Sequence, residues 1–154
     1  MKRPPRYPLT VFYDASCPLC ASEMHALKEL DAQARLELVD CSAADFDDAF
    51  LLGDGLTRTH LMARMHARDA SGQWFIAVDA FEAVYRAAGL EAAARAWGSP
   101  RLRPVLKRIY PWIARHRQPL SRFGFAALVR YLIPRPCGPT SATSNPRAGS
   151  CSRR

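Results

Sequence analysis

The feature that most constrains this chain is a pair of cysteines, Cys17 and Cys20, at the point where a predicted strand gives way to a helix. An apolar run, Leu9–Tyr13, precedes the pair, and apolar residues at helical spacing follow it over residues 18–34. Two cysteines separated by two residues at such a junction are typical of a thiol–disulfide redox site. The sequence therefore predicts redox chemistry at the start of the first helix.

Local physics favours a reactive sulfur at Cys17. The first backbone N–H groups of a helix have no partner within it, and the helix dipole is positive at that end. Pro18 suits the first helical position, which places Cys17 at the N-cap. A thiolate there is stabilised, so its pKa falls and it becomes nucleophilic near neutral pH.

The same spacing suggests a role for each residue of the motif. Cys20 lies one helical turn after Cys17 and on the same face, so we expect Cys17 to attack a disulfide and Cys20 to resolve the mixed disulfide. Asp14 is a candidate for assisting proton transfer. An alternative for Asp14 is to accept hydrogen bonds from backbone N–H groups in the loop before the helix.

Charge is divided unevenly along the 154 residues, a length that suits one domain. Residues 1–100 carry 10 Lys/Arg and 14 Asp/Glu, a net charge of −4, whereas residues 101–154 carry 12 Lys/Arg and no acid, a net charge of +12. This predicts a basic extension that either keeps the protein soluble or attracts an acidic partner or an anionic membrane surface. Nucleic-acid binding is not favoured, because no nucleic-acid motif accompanies the basic residues.

The chain has five cysteines, and its basic N-terminus leads to an apolar run too short for a secretory signal. No run approaches the ~18 apolar residues of a membrane-spanning helix. These features predict a reducing cytoplasm, where paired cysteines are more often catalytic or metal-binding than structural. Cys41 is expected to be buried, and Cys137 and Cys151 are expected to be incidental.

Apolar periodicity predicts the element order β-α-β-α-β-β-α over residues 8–98. The later predicted elements are a strand over Leu36–Asp40, a short helix within 42–58, strands over His60–Arg68 and Trp74–Val78, and a helix over Asp79–Trp97 that is capped by Asp79 with Glu82. Residues 99–133 are expected to form a basic extension of two helical stretches that packs on the core through Leu106, Ile109, Trp112 and Ile113. Residues 134–154 are expected to be a disordered tail.

Asp14 and the two cysteines together give Asp-x-x-Cys-x-x-Cys, which resembles the DCC family of predicted thiol–disulfide oxidoreductases, named for these three residues. Later blocks agree in order: a turn at Asp69–Gly72, a helix start at Asp79–Phe81, and the stretch Tyr110–Arg117. The resemblance covers about residues 8–123. It implies a thioredoxin-like α/β fold and dithiol chemistry, and it names no substrate.

One feature departs from thioredoxins, which carry a cis-proline before the third strand. This chain has no proline between Pro18 and Pro100, and the equivalent position falls near residues 57–59. The departure weakens the expectation of a thioredoxin-like substrate groove. It also keeps a metal-binding dithiol as an alternative, although the chain offers no second Cys-x-x-Cys for a four-ligand zinc site.

The preferred interpretation is an oxidoreductase that reduces or exchanges disulfides of a protein or a small molecule. It requires no dissociable cofactor, and an external reductant must regenerate the dithiol. A second alternative is a binding module that holds a partner through the basic extension and uses the dithiol as a switch.

Overall fold

A computed structural model describes residues 3–122 of the chain. Within this range the strands are β1 (Leu9–Tyr13), β2 (Leu36–Asp40), β3 (His66–Asp69) and β4 (Trp74–Ile76), and the α-helices are α1 (Pro18–Leu30), α2 (Arg58–Ala63), α3 (Val78–Ala87), α4 (Glu91–Gly98) and α5 (Arg103–Arg122). A short 3-10 helix, Ala49–Asp54, precedes α2. The apolar run 123–133, the tail 134–154 and the two cysteines within that tail lie outside the described residues.

The four strands form one mixed sheet in the order β2-β1-β3-β4. β1 is parallel to β2 and antiparallel to β3, and β4 pairs antiparallel with β3. This arrangement confirms the predicted α/β class with a thioredoxin-like sheet. The parallel pair brings the C-terminal ends of β1 and β2 to the same edge, where α1 begins.

Alternating side chains of β1 divide the core between the two faces of the sheet. One face is covered by α1 and α3, and its buried residues include Leu9, Val11, Met24, Leu27, Ala80 and Val84. The other face is covered by the 3-10 helix and α2, and its buried residues are Phe12, Cys41, Leu51 and Leu61. The sheet thus holds α1 firmly from one side, which fixes the position of the cysteines.

The predicted strand over His60–Arg68 is wrong in its first half. Thr57 begins α2 there, because its hydroxyl accepts a hydrogen bond from the backbone N–H of His60 at 3.3 Å. The strand itself starts only at His66. Residues 57–59, the expected equivalent of the thioredoxin cis-proline position, are therefore the start of this short helix.

The long helix predicted over Asp79–Trp97 is two helices. The chain turns between α3 and α4 at Gly89, whose φ of +80° is available mainly to glycine. Asp79 is not the N-cap either, because Ala77 takes that place and Asp79 lies in the first turn of α3. The Asp79 carboxylate instead pairs with Arg103 at the start of α5.

Of the two helical stretches predicted over residues 99–133, the described part is one continuous helix, α5, which continues through Pro111 and Pro119, and residues 123–133 lie outside it. α5 contacts α1, α3 and α4. Leu106 is partly buried as expected, but Ile109, Trp112 and Ile113 are 46%, 58% and 37% exposed. No helix among the described residues has the length and apolar content needed to cross a membrane.

Candidate active site

Both cysteines of the motif lie at the N-terminus of α1. Cys17 is the N-cap residue, with an extended backbone (φ −93°, ψ 109°), and Pro18 follows it in the first turn. Both thiols are free. Cys17 has no exposed surface, whereas Cys20 is partly exposed and lines a cavity.

Hydrogen bonding makes the two sulfurs unequal. The Cys20 thiol hydrogen-bonds to the Cys17 sulfur, and this contact contributes most to lowering the pKa of Cys17 from 9.0 to about 6. Burial opposes the shift, while the N–H groups of Cys20 and Leu19 and the charge of Arg117 add to it. The same hydrogen bond, together with burial, raises the pKa of Cys20 far above its usual value. Near neutral pH the pair is therefore a thiolate at Cys17 and a thiol at Cys20.

Asp14 has both carboxylate oxygens occupied. Oδ1 accepts hydrogen bonds from the backbone N–H of Ser16 at 3.0 Å and from its hydroxyl at 2.5 Å. Oδ2 accepts one from Arg117 at 2.7 Å. The buried carboxylate thus holds the loop before α1, in line with the alternative role considered from the sequence, and its part in proton transfer stays a prediction.

Arg117 belongs to the site, although its position 103 residues after Asp14 hides this in the sequence. Its guanidinium donates to Asp14 and, at 2.5 Å, to the carbonyl oxygen of Met62. The sequence groups Arg117 with a surface cluster of basic residues. One signal points inward, because Arg117 lies seven residues after Tyr110 and so shares its helix face. The Tyr110 hydroxyl accepts a hydrogen bond from the Met65 N–H at 2.9 Å.

Glu23 is a second residue of the site that the sequence hides, because a charged residue on an amphipathic helix is by default assigned to its solvent face. Its side chain is partly buried, and its Oε1 accepts a hydrogen bond from the Tyr85 hydroxyl at 2.8 Å. Burial raises the pKa of Glu23 to about 7, the Tyr85 hydrogen bond opposes this, and the negative charge of Cys17 adds to it. The available signal is its position three residues after Cys20, on the same face of α1.

A cavity of about 90 Å³ joins these groups beneath α5. Its wall is largely apolar, and its polar lining residues are Tyr13, Asp14, Cys20, Glu23, Arg64, Tyr110 and Arg117. Such a volume is large enough for a few water molecules. The Cys20 thiol and the Glu23 carboxyl therefore line the same partly open cavity.

Other candidate residues lie apart from this cavity. Cys41 is buried in the core on the other face of the sheet, as expected, and burial raises its pKa to about 12. His66 pairs with Ile76 across the hairpin, and its ring lies beside the Trp74 ring, with 6.2 Å between the ring centroids. Within residues 3–122, the His, Cys, Asp and Glu side chains form no group of three or more suited to hold a metal ion.

Residues 11–123 match the family described as DCC1-like thiol-disulfide oxidoreductase. A similar protein is an uncharacterized chloroplastic protein of Arabidopsis thaliana, 29% identical over 89 residues, which make up 57% of this chain and 41% of that protein. The chain thus spans about two fifths of the length of that relative. No solved structure matches the chain. Because the family match covers more than half of the sequence and includes Asp14, Cys17 and Cys20, the chain belongs to the DCC1-like thiol-disulfide oxidoreductase family.

Proposed function

We propose that this protein is a thiol–disulfide oxidoreductase whose Cys17–Cys20 dithiol reduces or exchanges disulfides of a protein or a small molecule in a reducing cytoplasm. The observation that carries the proposal is the unequal pair of free thiols at the start of α1, with the pKa of Cys17 lowered to about 6. A thiolate at neutral pH is the form that attacks a disulfide. Family membership supports the broad class of chemistry.

The proposed reaction has two exchange steps. The Cys17 thiolate attacks one sulfur of the substrate disulfide, forms a mixed disulfide, and the second substrate sulfur leaves as a thiolate. Cys20 then loses its proton and attacks the Cys17 sulfur, which closes a Cys17–Cys20 disulfide and releases the first substrate sulfur as a thiolate. The substrate gains two electrons and the protein loses them. An external dithiol reductant returns the protein to its reduced form, so no dissociable cofactor is needed.

The second step requires a base, because burial still raises the pKa of the Cys20 thiol after the Cys17 thiolate has been consumed in the mixed disulfide. Two carboxyl groups line the cavity beside Cys20. Asp14 is held by Ser16 and Arg117 on both oxygens, whereas Glu23 has a single hydrogen bond from Tyr85 and a pKa of about 7. A base that titrates near the working pH is the most effective. We therefore propose Glu23 as the proton acceptor, with Asp14 fixing the loop before α1.

The direct test is catalysed reduction of a protein disulfide, such as those of insulin, with dithiothreitol as the reductant. Cys17→Ser should abolish catalysis, because it removes the attacking sulfur. Cys41→Ser is the matched control, since Cys41 is buried away from the cavity with a raised pKa, and it should retain wild-type activity. Activity that survives in Cys17→Ser would overturn the proposal.

A further inference from the structure

The outward face of α5 carries a line of large apolar side chains. Val105, Ile109 and Trp112 are 51%, 46% and 58% exposed, and Leu102, which directly precedes the helix, is 48% exposed. Their spacing of three or four residues places them on one helical face. We call these four residues the α5 stripe.

The α5 stripe is not the face whose hydrogen bonds hold α5 on the protein. The opposite face does this, through the Tyr110 hydroxyl on the Met65 backbone and the Arg117 guanidinium on Asp14. Burying a large apolar side chain is favourable, so each one left in water forgoes stabilisation. Four such side chains left exposed in one contiguous line are typical of a surface that another body covers.

The charge beside the stripe indicates what that body is. Arg101, Arg108 and Arg115 are all exposed and are spaced seven residues apart, so they form a row along one side of the stripe. No acidic residue occurs anywhere from residue 101 to residue 154. The surface of α5 and of the two residues before it therefore presents an apolar line beside a row of positive charge.

We propose that the α5 stripe lies on an anionic membrane surface, independently of what the dithiol reduces. An amphipathic helix with aliphatic and Trp side chains on one face and basic side chains beside them binds at the boundary between lipid headgroups and acyl chains. Each Lys or Arg near an anionic lipid surface adds to the attraction. The arginines beside the α5 stripe match the negative charge of such a surface.

This placement would keep the dithiol close to the bilayer. The inner face of the same helix carries Arg117, which contacts Asp14 in the loop that leads to Cys17. The thickness of one helix, ~10 Å, then separates the lipid surface from the loop. Disulfides of membrane-associated proteins would be brought into reach at this distance.

The experiment is sedimentation of the full chain with vesicles of phosphatidylcholine alone or mixed with phosphatidylglycerol. Wild-type protein should bind the anionic vesicles at least about tenfold more tightly than the neutral ones, and salt should weaken the binding. Val105→Glu/Ile109→Glu should reduce this binding by at least about tenfold, because it puts charge into the apolar face. Leu52→Glu makes the same chemical change on the 3-10 helix, at a side chain that is 74% exposed, and should bind as wild type does.

Two further measurements make each outcome decisive. Dithiol activity and circular dichroism of the double variant must match those of wild type, which separates loss of binding from loss of the fold. Phe125→Glu changes the apolar run 123–133, which lies outside the described residues. The proposal is overturned if wild-type protein does not bind anionic vesicles, or if binding depends on Phe125 and not on Val105 and Ile109. A dimer or a complex with an acidic polypeptide that depends on the α5 stripe, without vesicle binding, would also overturn it.

Discussion

At the scale of single residues, Cys20 supplies the hydrogen bond that contributes most to the low pKa of Cys17. The helix N-terminus acts through the N–H groups of Cys20 and Leu19, and each of these lowers the pKa of Cys17 less than the Cys20 side chain does. Burial of Cys17 works against both. The activation is therefore a property of the pair, and it should respond to changes at Cys20 that leave the helix intact.

The first prediction concerns the donor at position 20. Cys20→Ala should raise the pKa of Cys17 from about 6 toward its usual value of 9.0, because the donor is lost. Cys20→Ser keeps a hydroxyl donor and should raise it less. The measurement is thiolate absorbance against pH, in a Cys137→Ser/Cys151→Ser background so that the two C-terminal thiols do not titrate. A pKa that stays near 6 in Cys20→Ala would mean that the helix N-terminus and the nearby positive charge suffice.

The second prediction concerns the base for Cys20. In the same background, one equivalent of a chromogenic aromatic disulfide should release one thiolate when Cys17 attacks and a second when Cys20 resolves. The second rate should rise with pH through about 7, as Glu23 becomes a carboxylate able to accept the proton. Glu23→Gln should slow that step by about 10²-fold and remove the rise near pH 7.

The matched control for that experiment is Asp14→Asn, which alters the other carboxyl of the cavity. If Glu23 is the base, Asp14→Asn should keep the rise of the second rate near pH 7. A rise that disappears in Asp14→Asn and persists in Glu23→Gln would return the proton transfer to Asp14. If the protein released no first thiolate at all, the proposed attack by Cys17 would be wrong. This outcome is distinct from one in which only the assignment of Glu23 as the base is wrong.

At the scale of elements, the sequence predicts what short-range signals control. Short apolar runs predict β1 and β2, and the Cys-Pro junction predicts the start of α1. The predicted starts of all three elements agree with the structure. The inward orientation of Glu23 does not follow from such signals, because a charged residue on a helix is by default assigned to solvent. Only a partner 62 residues away, Tyr85, makes its inward position favourable. The role of Arg117 does not follow from the sequence for the same reason, since its partner Asp14 is distant in sequence.

The third prediction tests a strained junction between β4 and α3. Ala77 has a φ of +55°, and its N–H is fixed by a hydrogen bond to the Met65 carbonyl oxygen at 2.8 Å. A positive φ costs an L-residue ~1–2 kcal/mol, and glycine avoids this at a smaller cost in chain entropy. Ala77→Gly should therefore raise the free energy of unfolding, measured with urea, by about 0.5–1 kcal/mol.

The control for this substitution is the same change at an ordinary helical position. Ala92 is exposed in α4, and Ala92→Gly should lower the free energy of unfolding by about 1 kcal/mol. The opposite signs separate relief of strain from the general effect of glycine. If both substitutions destabilise the protein by similar amounts, Ala77 is not strained.

At the scale of the whole molecule, α5 is joined to the loop between β1 and α1 and to α2. Arg117 on α5 makes both links, because it donates to Asp14 in that loop and to the Met62 carbonyl oxygen in α2. Cys17, meanwhile, has no exposed surface. Attack on a disulfide needs an open path to the sulfur, so the loop or α5 must move before the first exchange step. The Arg117–Asp14 pair is the contact that such an opening would break.

The fourth prediction follows from the burial of this ion pair, in which the Asp14 and Arg117 side chains are 2% and 18% exposed. Arg117→Met and Asp14→Asn should each lower the free energy of unfolding by about 2–4 kcal/mol, because each leaves a buried partner uncompensated. The double variant should lose less free energy of unfolding than the sum of the two single losses, with a coupling energy above about 1 kcal/mol. The pair Arg86–Glu91, with side chains 31% and 54% exposed, is the control, and Glu91→Gln should change stability by less than about 0.5 kcal/mol. Arg117→Met should also raise the pKa of Cys17, because a positive charge beside the thiolate is lost. Additive costs with an unchanged Cys17 pKa would show that α5 is not joined to the dithiol through this pair.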